Sequence, residues 1–158
     1  MEEQFKGSVG LKGKFHVQLF DEKGNLKQDS IHENLITDYM DRHVAVRLTS
    51  TTDTVAAFMA VGSGTGVLAT GSTLKNMINI CALSGNALQG TGGDDNDVVY
   101  SAYWAAGAGT GSIREAGVFQ CSGTSMLSGL LTYNDTISVN KGANDTLKID
   151  WTVTCGSS

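Results

Sequence analysis

The sequence predicts a mainly β protein, a two-sheet antiparallel β-sandwich of jelly-roll or Ig-like type with one short α-helix near residues 36–48. Proline is absent from all 158 residues, where average usage would supply about eight, and 20 glycines carry the turns instead. Thr, Ser and Val are frequent and aromatics are spaced along apolar runs, a composition suited to pleated, half-buried surfaces. A helical period is visible in one stretch only. A chain of this length fits one domain and buries roughly 70% of its unfolded surface.

Residues 1–10 form a polar lead without periodicity, read as an N-terminal arm, and 11–158 form the sandwich domain. KFHVQLF at 14–20 alternates, placing Phe15, Val17 and Leu19 on one face and Lys14, His16 and Gln18 on the other. Asp21 to Asn25 is a hairpin turn in which Gly24 and Asn25 supply the positive φ a tight connection needs. Leu26 to Ile31 returns as the second strand. Ile36, Met40, Val44 and Leu48 then recur every four residues, with Leu35 and Tyr39 beside them, so a helix is expected across an open end of the sheets. Thr37 and Asp38 are placed to cap its start.

From Ala56 onward the chain reads as strands: AAFMAVG, NMINICAL, DVVYSAYWAA, SIREAGVFQC, MLSGLLTY and DTLKIDWTVTC. Val98, Tyr100, Ala102 and Trp104 share a face. The last run is the cleanest, with Leu147, Ile149, Trp151, Val153 and Cys155 pointing one way and Thr146, Lys148, Asp150, Thr152 and Thr154 the other. Strands with one wet and one dry face pack most simply as two sheets, and a barrel is the next choice. The connections are too short and glycine-rich for the crossover helices of a parallel α/β fold.

Charge narrows the function classes. A net charge of −5 with 11 scattered basic residues opposes nucleic-acid binding. No apolar run approaches the length of a membrane span and no signal peptide is visible, so folding in a cytoplasm is expected. Cys81, Cys121 and Cys155 lie in strand-like runs without C-x-x-C spacing and are read as buried free thiols. Zinc would need further ligands, and His16, His32 and His43 stand in unrelated contexts.

Two glycine loops, VGSGTG at 61–66 and AGAGTG at 106–111, pose a choice between phosphate cradles and corners. A dinucleotide fingerprint would need glycine where Val67 and Ser112 stand, and no Lys-Ser or Lys-Thr pair follows, so both are read as corners between strands. Glu115 falls in step with Ile113 and Phe119 and is expected to be partly buried, accepting backbone or Lys/Arg hydrogen bonds rather than acting as a raised-pKa acid, since no second carboxylate is at a readable spacing. GGDDND at 92–97 lacks EF-hand spacing and is read as a solvated acidic turn. Ser125 lacks a nucleophile elbow. No catalytic, cofactor-binding or metal-ligating residues are assigned, and the chain is read as a non-enzyme. A sugar-binding module is the rival from another class: Trp104 and Tyr100 fall in the core stripe, leaving Tyr103 as its exposed candidate.

Four stretches carry a resemblance: FHVQLFDEKGNLKQDSIHENLIT at 15–37, FMAVGSGTG with LATGSTL, GTGSIREAGVF, and ISVNKGANDTLKIDWTV at 137–153. As an ordered set they resemble a family of small virion structural proteins of tailed bacteriophages. The resemblance implies a structural role in the particle, since members of that family are head decoration, tail or fibre-associated proteins; the charge of −5 and the lack of a stalk then favour a capsid decoration, or cement, protein at the outer head surface, partnered by the major capsid protein or other virion proteins and forming a homo-oligomer, with no nucleic-acid or membrane contact expected. It implies residence in the virion, with assembly in the host cytoplasm. A collar, neck or tail-fibre component touching the host surface or a glycan is the alternative, disfavoured because no coiled-coil repeat supplies a stalk.

Overall fold

The computed structural model describes residues 9–50, 55–68, 70–89, 96–120 and 130–157. Its two longest strands, β1 (Val9–Phe20) and β12 (Thr146–Ser157), carry the clearest alternation and pair antiparallel throughout, from Val9 opposite Ser157 to Phe20 opposite Thr146. β2 (Leu26–Glu33) flanks β1, while β7 (Asp97–Trp104) and β6 (Gly85–Gln89) extend the other side, giving the order β2-β1-β12-β7-β6. The second sheet has the order β3-β10-β9-β4-β5, built from β3 (Leu35–Ile36), β10 (Leu130–Asn134), β9 (Glu115–Phe119), β4 (Phe58–Gly62) and β5 (Met77–Ala82). A two-stranded ribbon joins β8 (Gly111–Ile113) to β11 (Val139–Lys141). The protein is therefore mainly β and sandwich-like, with antiparallel pairing and one helix among the described residues, and not a closed barrel.

Both lateral borders are crossed by the chain itself. β2 continues through Asn34 into β3, and β5 through Leu83 and Ser84 into β6. The corners are tied by backbone bonds from Asn34 N–H to the Gly13 carbonyl (3.1 Å) and from Ser84 N–H to the Ser101 carbonyl (2.8 Å). Strands that switch sheets in this way leave less of each border open.

Between the sheets, Phe15, Val17, Leu19, Ala102, Trp104, Leu147, Ile149 and Trp151 meet Met59, Val61, Ala116, Val118 and Leu131. Phe15 stacks on Trp151, its register partner, with centroids 4.6 Å apart, and on His32 at 5.1 Å. Aromatic pairs across neighbouring strands add about 0.5–1.5 kcal/mol to the area they bury.

A second apolar cluster lies on the far face of the second sheet, where Ala60, Phe119, Leu130 and Tyr133 are covered by Val67 and Leu74 of the loop between β4 and β5. All five residues of β9 and of β10 are consequently buried. The one-wet-face expectation fails for these strands because a loop, which leaves no periodic signature, supplies a third layer. SIREAGVFQC also breaks at Arg114, so Ile113 belongs to the ribbon and the inter-sheet core, while Glu115 and Phe119 point to the outer cluster.

The helix α1 (Asp38–Thr49) packs against β10. Met40 is buried, yet Leu48, expected in the apolar stripe, is 83% exposed at the mouth of an open groove between the helix and the end of the first sheet. Thr37 sits at the N-cap without a capping side-chain bond; its hydroxyl instead donates to the carbonyls of Leu130 and Leu131, the latter at 3.0 Å, fastening the helix start to β10. Asp38 and Asp41 in the first turn favour the helix dipole.

Smaller departures have local causes. Only Gly24 takes a positive φ (82°) in the first hairpin, because the Asp21 carboxylate accepts the Lys23 and Asn25 N–H groups and holds Asn25 in an ordinary conformation. The second strand runs on to Glu33, and β6 and β11 are short strands whose alternation does not separate them from the loops around them. Of the expected arm, Val9 and Gly10 belong to β1, and residues 1–8 lie outside the described set.

Candidate functional site: the first glycine loop and Glu115

Glu115 opens β9 on the face covered by the loop between β4 and β5, and is 0% exposed. Oε1 accepts the N–H groups of Gly64 (2.9 Å) and Asn76 (2.7 Å). Oε2 accepts the N–H of Lys75 (3.0 Å) and the hydroxyl of Tyr133 (3.1 Å). Four donors converge on a group that, ionised, only accepts, and bonds of this charge-assisted kind are roughly twice as strong as neutral ones.

The loop glycines are required by proximity. A Cβ on Gly62 would stand 2.5 Å from both the Asn76 carbonyl oxygen and Glu115 Oε1, and one on Gly64 would stand 2.4 Å from Lys75 Cβ and 2.8 Å from Glu115 Oε1. The loop does gather backbone N–H groups around an anion, but the anion is the protein's own carboxylate. Farther along, the N–H of Gly66 reaches Asp135 Oδ2 at 2.9 Å. Burial, followed by the charge of Glu115, pushes the Tyr133 hydroxyl well above the usual tyrosine range, so it stays a donor across ordinary pH.

The second loop has a different job. Gly107, Gly109 and Gly111 turn the chain through positive φ between β7 and β8, and Gly109 packs against the Trp104 ring. Its neighbours are held by bonds from Gly107 N–H to the Ala143 carbonyl (2.7 Å) and from Lys141 Nζ to the Ala105 carbonyl (3.1 Å). Burial lowers the pKa of Lys141, with Asp145 opposing the shift. Both glycine segments are corners between strands, and the first is also a clip.

The other residues singled out in the sequence do not assemble. His32 stacks on Phe15 and bonds Thr136 and Ser30, and burial lowers its pKa. His16 pairs with Asp29 on the outer face of the first sheet, and His43 lies on α1. Cys81 and Cys155 are free and half-buried rather than buried, because both lie near strand ends where cover thins; burial still raises both thiol pKa values. Among the described residues no group of three His, Cys, Asp or Glu is placed to hold a metal. Asp97 accepts the Thr154 hydroxyl at 2.5 Å, whereas residues 92–95, Cys121 and Ser125 lie outside the described set. Tyr100 and Trp104 are buried and Tyr103 is 52% exposed, as the alternation predicts.

An apolar groove of about 480 Å³ runs between α1 and the end of the first sheet, lined by Leu11, Met40, Val44, Val98, Tyr100 and Val153. It shares no lining residue with the Glu115 clip. As a chemical device the clip has no oxygen facing solvent: it fastens a surface loop. Backbone donors are what the sequence leads one to expect at Glu115, but it cannot say that they come from Gly64, Lys75 and Asn76, since any residue type carries a backbone N–H, nor that Tyr133 joins them. No helix among the described residues is long and apolar enough to cross a membrane. No protein-family model, curated protein or solved structure matches the chain.

Proposed function

We propose that this chain is a non-catalytic structural protein of a tailed-bacteriophage virion, a decoration protein that binds the outer head and braces coat-subunit contacts. The observation that supports the reading is the clip. FMAVGSGTG and REAGVF, two of the stretches that carry the resemblance, are the two halves of one buried fastening, with the Glu115 carboxylate held by the loop that Gly62 and Gly64 open. A motif pair used for internal bracing suits a protein whose work is mechanical.

The outer face of the first sheet carries several paired charges. Lys148 meets Asp150 at 2.9 Å, Ser101 donates to Asp150 at 2.6 Å, and His16 pairs with Asp29. Such a face can approach a coat subunit with part of its charge already paired, and roughly 800 Å² per partner makes a stable contact. Repeated by the symmetry of a shell, each contact adds resistance to the pressure of packaged genome. Quantitative mass spectrometry of purified particles tests the reading: a copy number comparable with the coat protein is expected, and absence from the particle overturns it.

A collar, neck or tail-fibre part with glycan contact is the second reading. It is favoured by Tyr103, an exposed aromatic ring on the outer face of the first sheet opposite Lys148. A few dozen copies per particle, with binding of the isolated protein to host cells that Tyr103→Ala abolishes, would select it.

A further inference from the structure

Among the described residues β2 is the longest strand bordering either main sheet, with eight residues against two in β3, six in β5 and five in β6. The bond from Asn34 N–H to the Gly13 carbonyl keeps the register of the β1–β2 ladder. Alternation from it directs the N–H and C=O groups of His32, Ser30 and Gln28 at β1, and those of Glu33, Ile31 and Asp29 away from it. The side-chain amide of Asn134 takes the Glu33 carbonyl, and Thr136 and Ser138 reach β2 through the side chains of His32 and Gln28. Among the described residues the outward backbone groups of Asp29 and Ile31 meet no hydrogen-bond partner. The crossover at Asn34 therefore closes the corner and leaves the middle of the strand open. Asp29 and Ile31 are both exposed there, Ile31 at 69%. An open edge of this kind is a template for a further strand.

The residues of β2 are complementary to β2 itself in one register. When two copies of a strand pair antiparallel about a two-fold axis, each residue faces a different one and only the residue on the axis meets itself. Open groups come together when the axis passes through residue 29, 30 or 31. With Asp29 on the axis its carboxylate meets its own copy, and with Ile31 on the axis Asp29 faces Glu33. With Ser30 on the axis, Asp29 stands opposite Ile31 and Lys27 opposite Glu33, so like charges are kept apart and unlike ones are brought together on both sides. Lys27, whose Nζ meets Asp145 at 2.7 Å within its own chain, then lies between two carboxylates.

We infer that two copies of this chain join edge to edge through β2, with Ser30 on the two-fold axis, so that their five-stranded sheets run on as one. The N–H and C=O groups of Asp29 in one copy face those of Ile31 in the other, which satisfies the groups left open in the single chain. Ser30, small and uncharged, is the residue that meets itself. Its own N–H and C=O groups stay with β1, so pairing breaks no bond of the sandwich.

Sedimentation velocity of the full-length protein up to about 100 μM, with amide hydrogen exchange followed over the same series, tests the pairing. A dimer is expected whose Asp29 and Ile31 amides exchange more slowly as its population grows. Ile31→Asp sets a carboxylate against Asp29 across the axis, whereas Ile31→Lys sets an ammonium there, so the first dimer should be at least about tenfold weaker than the second. Ile31 is exposed, so neither change opens the core. A monomer at every concentration, a dimer whose Asp29 and Ile31 amides exchange as fast as in the monomer, or equal affinities for the two variants overturns the inference. Protection of those amides only in the intact particle would give the edge to a strand of another virion protein and overturn the pairing of copies. A monomer found in purified heads would likewise sink this contact and leave the virion reading standing.

Discussion

Replacing Glu115 with Gln keeps the shape of the side chain and removes its charge, which separates bracing from catalysis. With its carbonyl oxygen where Oε1 stands, Gln still accepts from Gly64 and Asn76. Its NH₂ group then confronts the Lys75 N–H and the Tyr133 hydroxyl. The hydroxyl can rotate to accept, but the N–H cannot. One buried donor without an acceptor costs about 1–3 kcal/mol, and loss of charge assistance at the two remaining bonds about 1 kcal/mol each. Lys75 and Asn76 are themselves exposed, so water relieves part of this, and a net loss of about 2–4 kcal/mol is expected. For a domain of this size that is a fall in Tm of about 5–15 °C. Urea unfolding reads it directly as a lower midpoint at unchanged slope. A double-mutant cycle with Tyr133→Phe should show the two side chains coupled, because both act at Oε2. Stability within about 0.5 kcal/mol of wild type would refute the clip.

The same loop should reject a methyl group. Gly62→Ala would place Cβ against backbone and carboxylate oxygens at 2.5 Å and should destabilise by about 1–3 kcal/mol or more in urea unfolding, whereas Gly24→Ala, whose Cβ meets nothing within 4 Å, should cost only the 1–2 kcal/mol or so of its left-handed backbone. Thr37→Val removes the hydroxyl that joins the helix start to Leu130 and Leu131 and should lower stability by about 1–2 kcal/mol; unchanged stability would mean those carbonyls find other partners. Acid should weaken the fold through Asp145 and Asp150. Hydrogen bonds from Lys27 and then Gly142 hold Asp145 below the usual carboxylate range, and at Asp150 burial pushes upward but is outweighed by Ser101 and Lys148. Both folded pKa values lie below the unfolded ones, so their stabilisation is complete above about pH 4 and is lost as pH falls through the lowered values. Asp145→Asn should flatten that part of the urea-midpoint profile, and an unaltered profile would count against the Lys27 pairing.

The sandwich was legible where each strand carries its own instruction. β1, β7 and β12 have one face between the sheets and one in water, so burial imposes a period of two, and Phe15, Trp104 and Trp151 are found where alternation places them. Glycine in place of proline announced the corners for an equally local reason, since backbone conformation is a property of the residue and its neighbours. What lay outside the sequence's reach depended on segments distant along the chain. Leu48 fits a helical stripe, but whether anything lies opposite it depends on where the sandwich ends. β9 and β10 lose their alternation because the loop carrying Val67 and Leu74 folds back over them. Glu115 could be read as a buried acceptor, but its donors are backbone N–H groups that any residue type carries and that only chain folding brings within reach. Periodicity thus determined the layers, and tertiary structure alone decided that the first glycine loop closes on the protein's own carboxylate, because a hydrogen bond between main chain and side chain leaves its mark on one partner only.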